Sequence, residues 1–333
     1  MIDKSKNINL QKAKVAKKDE FYTRLEDIQR ELKYYKSFFK DKVVYCNCDD
    51  PRVSNFFHYF SYNFEKLGLK KLITTCYKNQ NTDLFSKGDS EKSIFLEYIG
   101  DKNGNRVPDV NEIGVNYLQG DGDFRSPESI ELLKQSDIVV TNPPFSLFRD
   151  FVNQLIKYDK KFIIIGSQNS ISNKDLFKLI KENKIWLGYN SVKRFRMPDN
   201  YEHNSVIEED GIKYAIFGNI CWYTNIDIEK RHIDLVLYKK YNEVDFPFFD
   251  NYNAICVNRV KEIPIDYDGI MGVPITFIEN YNPNQFEIIG SDYEVKEGLH
   301  PNIVNPNWNG KLDRAYINNK RLFARIFIKH KKI

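Results

Sequence analysis

A chain of 333 residues is long enough for one large domain or two smaller ones with a complete hydrophobic core. Hydrophobic residues make up 41% of it and aromatic residues 14%, which excludes a largely disordered protein. No apolar run approaches the length of a membrane-spanning helix, and the lysine-rich N-terminus lacks the apolar stretch of a signal peptide. The five cysteines have no disulfide-like spacing, so we expect a cytoplasmic protein without membrane contact.

The net charge of +4 is a mild excess, but it conceals two basic patches. One lies in the first 18 residues, and the other lies at the C-terminus, where no acidic residue follows Asp313. The patches comprise Lys4, Lys6, Lys12, Lys14, Lys17 and Lys18 at the first end, and Lys320, Arg321, Arg325, Lys329, Lys331 and Lys332 at the second. Charge alone leaves open whether they are solvated ends or binding surfaces.

Short apolar runs alternate with amphipathic stretches through the first 190 residues. They predict strands at 43–48, 71–77, 94–99, 138–141 and 162–166, and helices at 25–35, 54–67, 126–134, 148–157 and 173–182. The strand at 94–99 is expected to be half of a hairpin that turns at 101–104. Strands that are apolar on both faces and separated by helices indicate a parallel sheet covered on both sides, which is a doubly wound α/β domain. Ligands of such folds bind beyond the carboxyl ends of the strands.

Beyond residue 190 the composition shifts toward Gly, Pro, Asn and Tyr, and the predicted strands are short. Irregular stretches are expected at 199–212, 240–275 and 296–313. We therefore predict three parts, which are a basic arm at 1–18, the α/β domain at 19–235 and a loop-rich region at 236–333.

The segment that follows the strand at 138–141 carries the most informative motif, Asn142-Pro143-Pro144-Phe145. Proline lacks a backbone N–H, and the residue before it is held extended, so Asn142 continues the strand and points its amide beyond the end. The Asn142 side-chain oxygen and the Pro143 carbonyl are then two neutral acceptors beside the flat face of Phe145. Two acceptors suit the two hydrogens of a planar amine and stabilise the positive charge that develops on its nitrogen during attack. The ring that bears the amine stacks on Phe145.

Four longer stretches are as distinctive as this motif. They are 18–23 (KDEFYT), 44–57 (VYCNCDDPRVSNFF), 218–225 (GNICWYTN) and 269–277 (GIMGVPITF). Together with Asn142–Phe145, they make the chain similar to the EcoRI-type adenine-specific DNA methyltransferases over nearly its whole length.

This resemblance implies a Rossmann-like methyltransferase fold with S-adenosylmethionine as cofactor. It implies that Asn142, Pro143, Pro144 and Phe145 form the catalytic motif, and that the methyl group goes to the exocyclic amine of adenine in a short duplex DNA sequence. Because a duplex hides its amines in the base stack, the adenine must be flipped out. The catalytic and cofactor-binding domain would be 19–235, and 236–333 would recognise the DNA target. We expect a monomer, and it stays open whether a restriction endonuclease acting on the same site accompanies it.

The resemblance also implies cofactor-binding residues in three places. They are Phe21, Tyr22 and Thr23 before the first strand of the domain, Asn47, Asp49 and Asp50 after it, and Asp123 with Phe124 before the catalytic strand. The second group stands where other methyltransferases have a glycine-rich loop, so the roles of those glycines do not transfer. Either aspartate of that group could hold the cofactor ribose. Asp123 is expected to accept from the adenine amine of the cofactor, and Phe124 to pack on that ring.

Several of these residues have a structural alternative. The aspartates can serve turns or helix caps, and Tyr22 with Thr23 can cap the helix at 25–35. Cys46 and Cys48 share one strand face, but no further ligands stand at metal-binding spacing, so we predict no metal site. Trp222 is expected in the core rather than in the wall of the base pocket.

Lys193, Arg194 and Arg196 are candidate DNA contacts in a predicted loop after the apolar run at 185–187. Cations around an aromatic residue suit phosphate contact or base stacking, although a solvated turn has the same composition.

The same catalytic motif would serve other substrates that present a planar amine, such as adenine in RNA or a glutamine amide in a protein. The long C-terminal region and the matched stretches favour DNA over both. A DNA-binding relative without catalysis is a further alternative, and the intact motif argues against it. Methylation of cytosine at carbon 5 needs a Pro-Cys nucleophile, and no proline in this chain is followed by cysteine.

Overall fold

The computed structural model describes residues 22–48, 54–75, 93–105, 107–109, 112–197 and 206–331. The described residues form two compact units. The first comprises those up to Ser170 together with Gly188–Ile226, and the second comprises Ile171–Leu187 together with those from Asp227 onward. The arm at 1–18 and the predicted cofactor residues Phe21, Asp49 and Asp50 lie outside the described residues.

The helices and strands are numbered in chain order within the described residues. Helices α1 to α7 span Leu25–Leu32, Asn55–Tyr62, Phe64–Leu67, Pro127–Gln135, Phe148–Lys157, Lys174–Lys181 and Asp292–Lys296. Strands β1 to β16 span Tyr22–Thr23, Val43–Asn47, Lys71–Thr75, Ile94–Tyr98, Ile113–Tyr117, Ile138–Thr141, Lys161–Ser167, Trp186–Arg196, Val206–Glu209, Ile212–Thr224, Ile255–Cys256, Met271–Pro274, Phe286–Ser291, Tyr316–Ile317, Lys320–Arg321 and Arg325–His330. Short 3-10 helices span Lys36–Phe38, Phe145–Leu147, Gln168–Ser172, Glu229–His232, Val260–Glu262, Ile275–Asn280 and Pro301–Ile303.

The first unit is built on one large sheet. Among the described residues its strand order is β1-β8-β10-β7-β6-β2-β3-β4-β5, with β9 paired to β10. The central strands β7, β6, β2 and β3 are parallel. Every residue of β2 and β6 is buried, as expected for strands that are apolar on both faces. The prediction of a mixed α/β domain with parallel strands at its centre is confirmed.

The sheet is antiparallel at both margins. On one side β4 pairs antiparallel with both β5 and β3, so the prediction that 94–99 is half of a hairpin is confirmed. The predicted turn at 101–104 is wrong, because the connection between β4 and β5 extends over 99–112. On the other side β10 runs antiparallel to β7. The sheet is therefore mixed, and a doubly wound sheet that is parallel throughout is not what forms.

In this unit the prediction of short strands is wrong, and so is the prediction of an irregular stretch for its described part, 206–212. Strand β8 has 11 residues and β10 has 13. Strand β9 lies within the stretch and pairs with β10 across Asp210 and Gly211, whose φ angles are +52° and +75°. Asp-Gly is a favoured pair for such a two-residue hairpin, but the acidic residues before it conceal the alternation of the strand.

Polar caps start the helices close to the central strands. The Ser126 hydroxyl accepts from the Ser129 N–H at 3.2 Å, and Pro127 occupies the first turn of α4, as predicted. The Ser54 hydroxyl accepts from the Phe56 and Phe57 N–H groups at the start of α2. Helix α4 packs on β2, and α5 packs on β7.

The second unit has its own core, around a four-stranded sheet in the order β11-β12-β16-β13. Eight buried residues form its centre, which are Phe249, Tyr252, Ala254, Cys256, Val295, Ile303, Ala315 and Phe327. A separate two-stranded hairpin, β14–β15, packs beside this sheet through Ala315 and Ile317. Within the described ranges of both units, no helix is long and apolar enough to cross a bilayer.

Candidate active site

The ends of two adjacent parallel strands bring the central residues of the predicted site together. Strand β2 pairs with β6 in a register that matches Val44 with Ile138 and Tyr45 with Val139. The same register brings Asn47 level with Thr141, and the Thr141 hydroxyl donates to the Asn47 backbone carbonyl. The residue after Thr141 is Asn142, so the two predicted groups of ligand-binding residues begin at neighbouring carboxyl ends.

The Asn142-Pro143-Pro144-Phe145 segment forms the turn between β6 and α5. Asn142 is 9% exposed, and Pro143 is buried. The Pro144 carbonyl accepts from the Leu147 N–H at 3.0 Å, which closes the 3-10 turn Phe145–Leu147. Helix α5 follows at once, and this turn sets the position of the Phe145 ring.

Phe145 is half-buried and begins a row of three aromatic rings, which continues through Phe195 to Phe217. Its ring meets Phe195 of β8 edge to face, with ring centroids 6.4 Å apart and an interplanar angle of 82°. Phe195 in turn lies 5.8 Å from Phe217 of β10. Phe195 and Phe217 could have been found from the sequence by recognising the β9–β10 hairpin, since β8 and β10 then lie beside the parallel core.

Two buried polar atoms near this turn carry free hydrogen-bonding capacity. Asn47 is 2% exposed and Thr23 is 4% exposed. Within the ranges that the structure describes, neither the Asn47 Oδ1 nor the Thr23 Oγ1 atom has a hydrogen-bond partner. Such atoms are costly unless a ligand or water satisfies them, so Asn47 and Thr23 fit a polar ligand. Tyr22, beside Thr23 in β1, pairs with Arg196 of β8 and is half-buried.

Asp123 and Phe124 make other contacts. The Asp123 carboxylate accepts from the Arg125 Nη2 at 2.6 Å and from the Arg125 N–H at 2.8 Å, and this hydrogen bonding raises the pKa of the Arg125 guanidinium. Phe124 is 4% exposed and meets Phe151 edge to face with centroids 5.0 Å apart. The turn chemistry that was the alternative for Asp123 is present, and the roles of both residues toward a cofactor stay predictions.

The prediction of a loop at Lys193, Arg194 and Arg196 is wrong, because all three lie in strand β8. Lys193 and Arg196 are exposed. Arg194 is half-buried, with its Nη2 atom 2.7 Å from a carboxylate oxygen of Glu209 and its guanidinium over the ring of Tyr214 at 4.6 Å. Lys193 and Arg196 are therefore the accessible cations of this group, and Arg194 holds β8 and β9 against β10.

Trp222 is fully buried and meets Phe56 edge to face at 6.1 Å, so its prediction as a core residue is confirmed. Cys46 is fully buried as well.

A buried glutamate, which the sequence did not reveal, anchors strand β8. Glu31 of α1 is fully buried and accepts four hydrogen bonds of 2.8–2.9 Å, from Tyr35, from the Tyr189 N–H, and from the backbone and side chain of Asn190. Burial nevertheless raises the pKa of the Glu31 carboxyl. Gly188 is required beside it, because a Cβ there would lie 2.2 Å from the Glu31 Oε1 atom.

A parallel core with an Asn-Pro-Pro-Phe turn at the carboxyl end of one strand defines a class, the amino-methyltransferases. The family described as "Adenine-specific methyltransferase EcoRI" matches residues 9–331 of the chain. The chain therefore belongs to the EcoRI-type family of adenine-specific methyltransferases, and both the predicted family and the predicted enzyme class are confirmed.

Three relatives match almost end to end. The Type II methyltransferase M.EcoRI of Escherichia coli is 51% identical over 321 residues, which cover 94% of this chain and 97% of the relative. M.MgeORF184P of Mycoplasma genitalium is 37% identical over 97% of this chain and 98% of its own, and M.MpnI of Mycoplasma pneumoniae is 39% identical over 96% and 98%. No solved structure matches the chain.

Proposed function

We propose that the chain transfers a methyl group from S-adenosylmethionine to the exocyclic amine of adenine in a specific short sequence of duplex DNA. The observation that carries the proposal is the hydrogen bond from the Thr141 hydroxyl to the Asn47 carbonyl. It holds the ends of β6 and β2 side by side, so the amine-binding motif and the cofactor residues begin at adjacent points. Membership of the adenine-specific family supports adenine as the target base.

Asn142, Pro143 and Phe145 would bind the adenine base. The Asn142 Oδ1 atom and the Pro143 carbonyl accept the two amine hydrogens and stabilise the positive charge on nitrogen as it attacks. Phe145 supports the ring of the flipped adenine by stacking. No strong base is required, because the proton leaves for solvent after the new carbon–nitrogen bond has formed. Most of the rate would come from position and preformed dipoles.

The residues at the end of β2 fit a polar methyl donor. When bound, S-adenosylmethionine supplies a methyl group on a positively charged sulfur, which is a good leaving group. The unsatisfied Asn47 Oδ1 and Thr23 Oγ1 atoms are acceptors that such a cofactor's hydroxyl and amine groups would satisfy. Tyr22 stands beside them, and the roles of Phe21, Asp49, Asp50, Asp123 and Phe124 remain part of the proposal.

DNA would be held by exposed cations of the first unit and by the region at 236–333. Lys193 and Arg196 stand exposed on β8, the strand that also carries Phe195 behind Phe145. Phosphate contacts of this kind give affinity that falls with salt, and the flipped base costs a few kcal/mol. The proposal includes a Rossmann-like arrangement of the first unit and a protein that acts as a monomer.

The test replaces the Asn142 amide. In Asn142→Ala, methyl transfer should fall by about 10²- to 10³-fold, as for other preorganised transition-state contacts, while binding of cofactor and DNA persists. Asn63→Ala is the matched control, since the Asn63 amide only donates to the Tyr59 carbonyl between α2 and α3.

Labelled S-adenosylmethionine is offered with DNA, RNA and protein, and the labelled product is identified. Label in DNA adenine supports the proposal, whereas label in RNA adenine or in a glutamine amide would overturn the substrate. Full transfer by Asn142→Ala would overturn the role of the motif.

A further inference from the structure

The β14–β15 hairpin of the second unit has two chemically different faces. Tyr316 pairs with Arg321 and Ile317 with Lys320, and the Leu322 N–H extends the ladder to the Ala315 carbonyl at 2.8 Å. Successive residues of a strand point to opposite faces. Ala315, Ile317 and Leu322 therefore share one face, and all three pack against the core of the second unit.

The opposite face is aromatic and cationic, and it is exposed. It carries Tyr316 and Arg321, and the alternation continues it to Phe323. The Phe323 side chain is 89% exposed and that of Arg321 is 54% exposed. Trp308 lies beside Tyr316 with ring centroids 5.3 Å apart, which widens the aromatic surface. We call Trp308, Tyr316, Arg321 and Phe323 the hairpin face. Lys320 pairs with Ile317 and so belongs to the other side of the ladder, but it is exposed next to the turn, at the edge of the hairpin face.

The turn of this hairpin is held firmly. Asn318 and Asn319 have φ angles of +50° and +59°, which asparagine tolerates better than other side chains. The Asp250 carboxylate accepts from both of their N–H groups, at 3.2 Å and 2.7 Å. Fully buried Asn251 accepts from the Tyr316 N–H at 3.0 Å and donates to the Arg314 carbonyl at 2.7 Å. A large exposed aromatic group is thus presented on a backbone that is already ordered.

The charge of the face selects an anionic partner. Lys320 and Arg321 are exposed, and the last acidic residue of the chain is Asp313, whereas Arg314 is half-buried with its guanidinium 3.8 Å from the Asp292 carboxylate. Asp313 already accepts from Tyr316 at 2.9 Å and from Arg321 at 3.0 Å, and Asp250 is occupied by the turn. Cations interleaved with aromatic rings are the composition that binds a phosphate backbone and stacks on bases.

We propose that the hairpin face, together with Lys320 at its edge, is a contact surface for duplex DNA, in which Lys320 and Arg321 bind phosphates and Phe323 inserts between base steps as an apolar wedge. This inference rests on the proposed function, and it assigns specific residues within a region that the family resemblance left undivided. The basic C-terminal patch thereby separates into two parts. Lys320 and Arg321 face solvent, whereas Arg325 is buried at the start of β16.

The test measures binding of the full chain to a labelled random-sequence duplex of about 30 base pairs at several salt concentrations. A random pool serves because phosphate contacts carry no sequence information. Phe323→Ala should weaken binding roughly tenfold, because the buried surface of the ring is lost. In Lys320→Gln/Arg321→Gln, the slope of log affinity against log salt should become shallower by about 2, since each phosphate contact contributes about 0.9.

Val244→Ala is the matched control, because Val244 is 90% exposed in the same unit and lies outside the hairpin face. Its affinity should equal that of the wild type, and all variants should keep the wild-type melting temperature. Wild-type affinity and slope in both hairpin variants would overturn the inference. The inference would also be overturned if the hairpin variants lost affinity only for single-stranded RNA of the same base composition and not for the duplex.

Labelled methyl transfer by the wild type separates this inference from the proposed function. A wild type that methylates DNA while the hairpin variants bind normally overturns the hairpin face alone. A wild type that binds duplex through these residues but transfers no methyl group overturns the proposed function alone.

Discussion

Replacing Thr141 by valine should damage the active site more than it damages the fold. Thr141 is fully buried, and its hydroxyl donates to the carbonyl of Asn47 on the neighbouring strand. Valine has nearly the same shape, so the variant removes this donor without opening a cavity. The carbonyl left behind is in the centre of the sheet, and an unsatisfied buried acceptor costs about 1–3 kcal/mol.

The same loss can be produced far from the site by Thr224→Val. Thr224 is also fully buried, and its hydroxyl donates to the Phe162 carbonyl at 2.7 Å and accepts from the Ile226 N–H at 3.0 Å. It pairs with Ile163 near the amino end of β7, whereas the predicted site is at the carboxyl ends of the parallel strands. Thr224→Val should therefore lose at least as much free energy of unfolding in urea as Thr141→Val.

Methyl transfer well below the melting temperature should distinguish them. In Thr141→Val the link between the motif and the proposed cofactor site at the end of β2 is lost, and a small misplacement of reacting groups can cost about 10²-fold in rate. Thr224→Val should keep wild-type kcat/KM. Equal losses of transfer in the two variants would refute the reasoning, because the Thr141 bond would then contribute only stability.

Two other substitutions test the packing and the electrostatics of the units. Gly166→Ala should lower the free energy of unfolding by about 1–3 kcal/mol in urea, because its Cβ would lie 2.4 Å from the ring of Phe148, the first residue of α5; wild-type stability would contradict this. In the second unit, burial outweighs the guanidinium of Arg314 and raises the pKa of the Asp292 carboxyl to about 6. The folded state then binds this proton more tightly than the unfolded chain, whose carboxyl has a pKa of about 3.9. The contribution of Asp292 to stability is therefore greatest below pH ~4 and falls by about 3 kcal/mol as the pH rises through ~6. Asp292→Asn lacks this dependence, so its stability relative to wild type should increase from pH ~4 to ~6 and level off above; a constant difference across this range would show that the carboxyl is not perturbed.

The parallel core was predictable because its strands carry the signal in their own residues. Val43–Asn47 and Ile138–Thr141 are buried on both faces, and they read as continuous apolar runs. Helix α4 was equally visible, since Ser126 and a proline in the first turn mark its start. Signals of this kind are local, and they depend little on tertiary contacts with the rest of the chain.

The parts that were not predicted depend on contacts between distant segments. Glu31 reads as one more charged residue of an amphipathic helix, because its partner Tyr189 is 158 residues away. The length of strand β10 was missed for a related reason, since its first half pairs with β9 and its second half with β7. Lys193–Arg196 read as a loop because charge outweighs β-propensity when the neighbouring strands are unknown.

Strand β8 explains how the two sides of the proposed site could be ordered before any ligand binds. Its beginning is fixed by the buried carboxylate of Glu31, whose bonds to backbone N–H groups leave little freedom of register. Near its other end, the backbone of Phe195 pairs with Thr23 on the cofactor side, while the Phe195 ring contacts Phe145 on the base side. One residue therefore joins the two sides, independently of the threonine hydroxyl that joins β6 to β2. Stabilisation of a transition state by fixed dipoles requires that the dipoles do not reorganise during the reaction. The two separate links, through Phe195 and through the Thr141 hydroxyl, meet this requirement of the scaffold.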